Sequence, residues 1–220
     1  LKENKIIEKI LKELKIDKEI IFLENGNYLF KKSYIPANLS LREKIYFYRY
    51  TFNKYMNDIS SQNIYITRID SKNRGITNEK ELISFLKKKN FKIIELSNYN
   101  FIDQITLFSK AKIIISLHGA GLTNITFCKS NVSVIEIAHD ITNKNDDWYC
   151  NSKYFNFKNI AREHFIRISK IIKLNHFLYF CVNNIANKQN IKSEFRLKKL
   201  TNENLTINIA KFSKFYNDHF

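Results

Sequence analysis

An α/β architecture, a parallel sheet with helices on both faces, follows from three features of this 220-residue chain. After Asp58 short apolar runs alternate with amphipathic stretches in strict βαβαβαβ order. The strand-like runs, among them Ile113-Ile114-Ile115 and Val132–Ile137, are continuous rather than alternating, as strands buried on both faces are. The run at Ile113 then breaks at His118-Gly119-Ala120-Gly121 into a helix-like stretch from Leu122. That strand–turn–helix form presents bare backbone N–H groups to an anion. The whole stretch Ile113–Ile137, with two of the chain's four glycines, is where the sequence concentrates its signal.

Taken in order, Asn63–Thr67 reads as the first strand of this region. Thr77 is placed to cap a helix running to Lys89, with Asn78 and Glu79 in its first turn, where a carboxylate suits the helix dipole. Phe91–Leu96 is the next strand. Ser97–Ala111 is a helix with Phe101, Ile105, Leu107 and Phe108 facing inward. Ile113–Ser116, Leu122–Cys128 and Val132–Ile137 follow as strand, helix and strand. Right-handed crossovers put every carboxyl end of such a sheet on one rim, where ligands bind. Arg68, Arg74, His118 through Asn124, and Glu136 all lie at or just past strand ends of that kind.

The flanks are less regular. Lys2–Lys15 spaces Ile6, Ile7, Ile10, Leu11 and Leu14 as an amphipathic helix. Glu19–Leu23 and Tyr28–Phe30 read as strands around the Asn25-Gly26-Asn27 turn, closed by Pro36. Leu39 to about Met56 is an aromatic-rich helix. Residues 1–58 are therefore expected to be the tail of a preceding domain with a connecting helix, and the start at Leu1 rather than Met suggests a fragment. Residues 59–160 form the sheet domain. Residues 161–220 are expected to be a helical extension packing back on it. In detail, Trp148–Tyr154 reads as a short helix, Phe155–Phe157 as an edge strand, and Ile160–Asn187 as one or two helices. The aromatic run Phe177–Val182 falls in a core helix. Lys188–Asn202 is charged and poorly patterned, Leu205–Ile209 is a last strand, and Ala210–Asn217 a closing helix.

The net charge of +16 raises the question of a polyanion partner. Only seven of the 37 basic residues are arginine and the lysines are spread along the whole chain, which describes a solvated cationic surface rather than a nucleic-acid face. No nucleic-acid partner is expected; attraction to an anionic membrane surface or to anionic substrates is the alternative to a merely solvated face. Three widely spaced cysteines, Cys128, Cys150 and Cys181, lack any metal or disulfide spacing and fit a reducing, cytoplasmic setting. Phe177–Val182 is far too short to span a bilayer.

Three readings compete for Gly119-Ala120-Gly121-Leu122-Thr123-Asn124. One is a turn that needs glycine for its geometry and binds nothing. Another is a dinucleotide fingerprint, which fits poorly because Asn124 stands at its sixth position and the motif follows the third strand. The third is a pyrophosphate site, with backbone N–H groups approaching the anion and Thr123 and Asn124 adding side-chain donors.

The pattern Arg68, then Arg74-Gly75-Ile76-Thr77-Asn78-Glu79, Gln104, Phe108, His118-Gly119-Ala120-Gly121-Leu122-Thr123-Asn124, Phe127 and Val134-Ile135-Glu136-Ile137 resembles the C-terminal half of glycosyltransferase family 61. The family includes bacterial capsular-polysaccharide transferases and eukaryotic xylosyl- and N-acetylglucosaminyltransferases. The resemblance is good over Asn63–Ile137 and looser over Leu1–Met56. It implies a GT-B architecture of two Rossmann-like domains, the C-terminal one holding a nucleotide diphosphate sugar, with a uridine diphosphate donor favoured. It also implies inversion at the anomeric carbon, no bound metal and no other cofactor. The acceptor would be a hydroxyl of a glycan or a lipid-linked sugar, in surface-polysaccharide synthesis on the cytoplasmic side of a membrane.

On that resemblance the donor-binding residues are Arg68, Arg74, His118, Gly119, Ala120, Gly121, Leu122, Thr123, Asn124 and Glu136. The arginines suit phosphate because guanidinium offers a fixed, always-charged fork. Their other reading is surface pairing with Glu79 or Glu81. His118, the one candidate for a catalytic group, would donate to phosphate or leaving oxygen, or is a hydrogen-bonded core residue. Glu136 would accept from ribose hydroxyls or pair with a lysine. Asn78 and Glu79 are either part of the pattern or simply cap their helix. No DxD is present, Asp146-Asp147 being an adjacent pair in a loop. In this architecture the general base normally comes from the other domain. The alternatives are a non-catalytic module binding polyanions or nucleotides, and a degenerate family member with a structural role.

Overall fold

The computed structural model describes residues 38–56, 61–69, 75–140, 147–151, 163–182 and 204–220. The chain divides into two compact units, Leu1–Asn53 and Lys54–Phe220. In the first, helix α1 (Leu41–Thr51) opens with a capping box. Ser40 Oγ accepts from the Glu43 N–H at 3.3 Å, and the Ser40 N–H donates to Glu43 Oε2 at 2.7 Å, so two orphan donors are satisfied reciprocally. The helix stops at Thr51, and the expected extension to Met56 becomes a 3-10 turn at Asn53–Tyr55. The helix and strands expected before Pro36, and Phe155–Phe157, lie outside the described residues.

The second unit is a six-stranded sheet: β1 (Gln62–Ile66), β2 (Phe91–Ile94), β3 (Ala111–Leu117), β4 (Ser133–His139), β5 (Trp148–Asn151) and β6 (Asn175–Cys181). Their order is β2-β1-β3-β4-β6-β5, and every pairing is parallel except β5 on β6. Among the described residues four α-helices accompany it: α2 (Glu79–Lys88), α3 (Phe101–Ser109), α4 (His164–Ile172) and α5 (Ile209–His219). The mixed α/β, Rossmann-like class read from the alternation is the one observed.

Side-chain alternation assigns the two faces. Tyr65, Ile113, Ile115, Leu117, Ile135, Ile137, Phe177 and Tyr179 pack with Leu82 and Leu86 of α2 and with Phe212, Phe215 and Tyr216 of α5. The opposite face carries Ala138, Leu178 and Phe180 against Ile166 of α4. Glu136 and His176 share its parity.

Three expectations fail here. Phe177–Val182 is not in a core helix; it lies in β6, with Val182 just past its end. An apolar run of six has no period that distinguishes the two, and its aromatic content favours a strand. Trp148–Asn151 is the antiparallel edge strand, not the start of a helix. Leu205–Ile209 is not a strand: only Leu205 bridges, to Ile76, and α5 already begins at Ile209.

That bridge has a specific lock. Asn78 Nδ2 donates to the Ile207 carbonyl at 2.8 Å, and Asn78 Oδ1 accepts from the Ile207 N–H at 3.0 Å. Asn78 is thus the N-cap of α2 by position, but its amide is spent on a distant segment and makes no cap bond. Thr77, expected as the cap, instead donates to the Leu205 carbonyl at 3.1 Å. Asn78→Ala removes both bonds to Ile207 at a part-buried position. It is expected to lower the stability of the second unit by about 1–3 kcal/mol, read from urea unfolding with an unchanged m-value.

Candidate functional site

From β1 the chain steps outward to β2, then crosses back over β1 to β3. The switch point therefore lies between the carboxyl ends of β1 and β3, where open α/β sheets bind ligands. A cleft of about 530 Å³ sits there, within the range of small-molecule sites. It is lined by the end of β1 (Ile66, Thr67, Arg68), the turn after β2 (Leu96, Ser97), Gln104 of α3, and the end of β3 with its turn (Ser116, Leu117, Gly119, Ala120, Gly121, Asn124).

The segment after β3 is a 3-10 helix, Ala120–Phe127, rather than the α-helix expected from Leu122. Its core-facing residues explain the choice. Leu122, Ile125 and Cys128 recur every three positions and are all fully buried, and three-residue spacing eclipses in a 3-10 helix. The Leu122 N–H donates to the Gly119 carbonyl at 3.0 Å. Among the described residues, the N–H groups of Gly119, Ala120 and Gly121 meet no acceptor. Three consecutive donors thus open on the cleft.

The glycines are not there for a left-handed backbone: no glycine among the described residues lies in the left-handed region. They are there for close approach. A Cβ on Gly119 would stand 2.6 Å from Arg68 Nη1, and one on Gly121 would stand 2.7 Å from Leu96 Cδ1. The Arg68 guanidinium lies against the turn, Nη1 reaching the His118 carbonyl at 3.3 Å. Glu79 does not hold this arginine in the way first envisaged. Its Oε1 accepts from Tyr65 Oη at 2.6 Å and Thr67 Oγ1 at 2.7 Å. Burial, then the Glu79 carboxylate, push the Tyr65 hydroxyl well above its ordinary value, so it stays a donor.

Gln104 holds the far wall. Its Nε2 donates to the carbonyls of Leu96 (3.2 Å) and Tyr99 (3.0 Å), and its Oε1 accepts from Asn124 Nδ2 at 2.8 Å. Asn124 is therefore partly committed to the scaffold.

The other expected site residues divide clearly. Arg74 lies outside the described residues. Ala120 lines the cleft, Thr123 is exposed but does not line it, and Leu122 is buried in the core. Glu136 does not present its carboxylate to a ribose. It sits mid-strand in β4, 0% exposed, with Oε1 hydrogen-bonded to His118 Nδ1 and Oε2 to His176 Nε2 at 3.0 Å. The His118 ring has turned toward this carboxylate. Only its backbone neighbours line the cleft, while the ring packs edge-on against Phe165 of α4 and is 20% exposed.

Burial pushes the Glu136 carboxyl up. The hydrogen bonds from His118 and His176, with the electrostatic attraction of both imidazoles, outweigh it and hold the group down at about 2. His176, which sequence reasoning passed over as a polar flank, becomes visible once β6 is read as a strand, because 176, 178 and 180 then share a face. Among the described residues no group of three or more His, Cys, Asp or Glu is placed to hold a metal, and no helix is long and apolar enough to cross a membrane.

Comparison with known families gives the class of this fold and site. The family model described as Glycosyltransferase 61 matches residues 4–135. The match spans more than half of the chain and takes in the first three strands and the whole turn after β3, and the chain belongs to that glycosyltransferase family. Comparison with curated proteins gives no match.

Two outcomes follow from the geometry. Gly119→Ala forces the guanidinium of Arg68, the movable partner, out of its place. It is expected to leave the melting temperature nearly unchanged and, on the anion-site reading proposed below, to weaken inorganic pyrophosphate binding about tenfold by calorimetric titration, the loss of one charge-assisted contact. Glu136 has a folded value below its unfolded one of about 4.3. Its stabilisation is present above that value and lost as pH falls toward about 2. Glu136→Gln is expected to lower the melting temperature at neutral pH and to flatten its decline through that acid range.

Proposed function

We propose that the chain transfers a sugar from a nucleotide diphosphate sugar, with uridine diphosphate favoured, to a hydroxyl of a glycan or lipid-linked acceptor. The observation that carries this reading is the row of three unpaired N–H groups at Gly119–Gly121 with Arg68 laid against it, at the switch point of the sheet. Such a row, with an adjacent guanidinium, suits a diphosphate better than any neutral ligand. Charge-assisted hydrogen bonds contribute about 1.5–3 kcal/mol each, so three at the upper end of that range come to roughly the 8 kcal/mol of micromolar binding. The nucleoside and sugar would extend along the Leu96–Ser97 wall. Arg74 follows β1 in sequence and is proposed as a second phosphate contact.

The reading further includes inversion, with neutralisation of the diphosphate by cations and amides rather than by a bound metal. It includes a setting in capsule or other surface-polysaccharide synthesis at the cytoplasmic face of a membrane, to whose anionic lipids the +16 charge is suited. Residues 1–58 would be the end of an acceptor-side domain in a GT-B arrangement. The proposed catalytic group within this chain is His118.

A thermal-shift screen of nucleotide diphosphates and nucleotide sugars, with magnesium or with chelator, tests the proposal. Stabilisation by one nucleotide diphosphate class that survives chelator is the expected result. Arg68→Ala and Arg74→Ala should each weaken uridine diphosphate binding by about tenfold or more, and Gly121→Val should abolish it while the protein stays folded. Steeply salt-dependent binding to any polyanion, with no nucleotide preference, would replace this reading with a charge-driven binding module.

A further inference from the structure

Behind the turn, four side chains form a continuous buried chain: Ser169 of α4, His176 of β6, Glu136 of β4 and His118 after β3. Ser169 Oγ lies 2.7 Å from His176 Nδ1, both atoms in the interior. His176 Nε2 lies 3.0 Å from Glu136 Oε2, and Glu136 Oε1 meets His118 Nδ1. Of the four, only His118 reaches the surface, and its Nε2 has no partner among the described residues.

The donor and acceptor inventory then fixes the protons. An ionised carboxylate only accepts, so the imidazole nitrogens facing Glu136 must both carry hydrogen. Neutral His176, protonated on Nε2, takes its remaining bond at Nδ1 from the Ser169 hydroxyl. Neutral His118, protonated on Nδ1, is left with Nε2 as a bare acceptor. The ring is held on its other sides as well: Phe165 packs edge-on at 5.3 Å between centroids, and Arg68 binds the His118 carbonyl.

We infer that Ser169 and His176 are positioning residues that act through Glu136 to fix the His118 tautomer, making His118 Nε2 the proton-accepting atom beside the anion-binding turn. The catalytic meaning of this rests on the donor-site reading above. In that reaction the acceptor oxygen bonds to the anomeric carbon as the bond from that carbon to the diphosphate oxygen breaks. The electron pair leaves with the diphosphate, and the hydroxyl proton passes to His118 Nε2 from an acceptor bound on the ring's side of the turn, outside the cleft itself. The imidazolium so formed faces the Glu136 carboxylate, which is the arrangement that steadies such a charge in other imidazole–carboxylate pairs. His176 keeps that carboxylate ionised in a place where it would otherwise take up a proton.

Heteronuclear NMR of the full chain labelled with 15N-histidine reads the tautomers directly. In the wild type, near neutral pH, His118 should show the pyridine-type nitrogen at Nε2 and His176 should show it at Nδ1. A wild-type His118 protonated on Nε2 overturns the inference with no variant needed. His176→Phe leaves the buried carboxylate one donor. Glu136 should then protonate and give its hydrogen to His118 Nδ1, moving the pyridine-type nitrogen from Nε2 to Nδ1. His176→Gln, whose amide can still donate to Glu136, should restore the wild-type pattern. Ser169→Ala is the milder change and should leave His118 as it is while freeing His176 to exchange tautomers. An unchanged His118 spectrum in a folded His176→Phe protein also overturns the inference. Titration of the same samples with uridine diphosphate separates the two ideas. Loss of binding in the wild type removes the donor reading and leaves the array, whereas binding with the wrong tautomer removes the array alone.

Discussion

A single negative charge placed inside an apolar sheet constrains much of the second unit. Glu136 lies in the middle of β4 with no exposure to solvent, between Val134 and Ala138 on the same face. Leaving such a charge without donors would cost several kcal/mol. The donors come from two different strands on either side of β4, His118 from the end of β3 and His176 from β6, and α4 supplies Ser169 behind the second. The position of β6 beside β4, the register Glu136↔Leu178 and the seating of α4 are thereby tied to one carboxylate. A one-residue slip of β6 would turn His176 to the opposite face and leave the charge short of a donor. The same group links the packing of the sheet to the ring orientation of the histidine next to the cleft.

The site on the other side of that histidine is built by a different means, exclusion of side-chain volume. Arg68 rests on the turn because Gly119 has no Cβ, and Leu96 fits over Gly121 for the same reason. Gln104 then spans the two segments that form the far wall, holding the Leu96–Tyr99 turn and Asn124 together. The cleft keeps its shape through backbone contacts and one amide bracket, and its polar row of N–H groups stays unspent. A cleft of this sort is pre-formed, which limits the ordering cost of taking up a flexible ligand.

How much of this was legible depended on whether the signal was local. Strands β1 to β4 were readable within a residue or two because their β-branched runs are bounded by turn residues and separated by amphipathic stretches. The glycines of the turn Gly119–Gly121 were legible as residues that permit close approach, but that Arg68 and Leu96 are the neighbours they admit was not. The run at Phe177 carried no period to separate helix from strand, and misreading it hid His176. The task of Glu136 was out of reach for the same cause. A carboxylate in an apolar strand announces that it needs a partner, but the partner is 40 residues further on and is set by strand order. Asn78 shows the converse error. Its place at a helix start suggested a local cap, while its amide serves a segment 129 residues away.

That last contact has a consequence for how the protein is made. Residues 75–78, which follow the arginine-bearing loop after β1, receive their backbone and side-chain partners from residues 204–207. A nascent chain that has already produced β1, β2 and β3 still lacks those partners until the ribosome has reached residues 204–207. Closing so long a loop is entropically slow. The start of α2 is thus among the last parts to lock, so a stalled or incomplete chain would carry the first strands and the turn after β3 with residues 75–78 still unfastened.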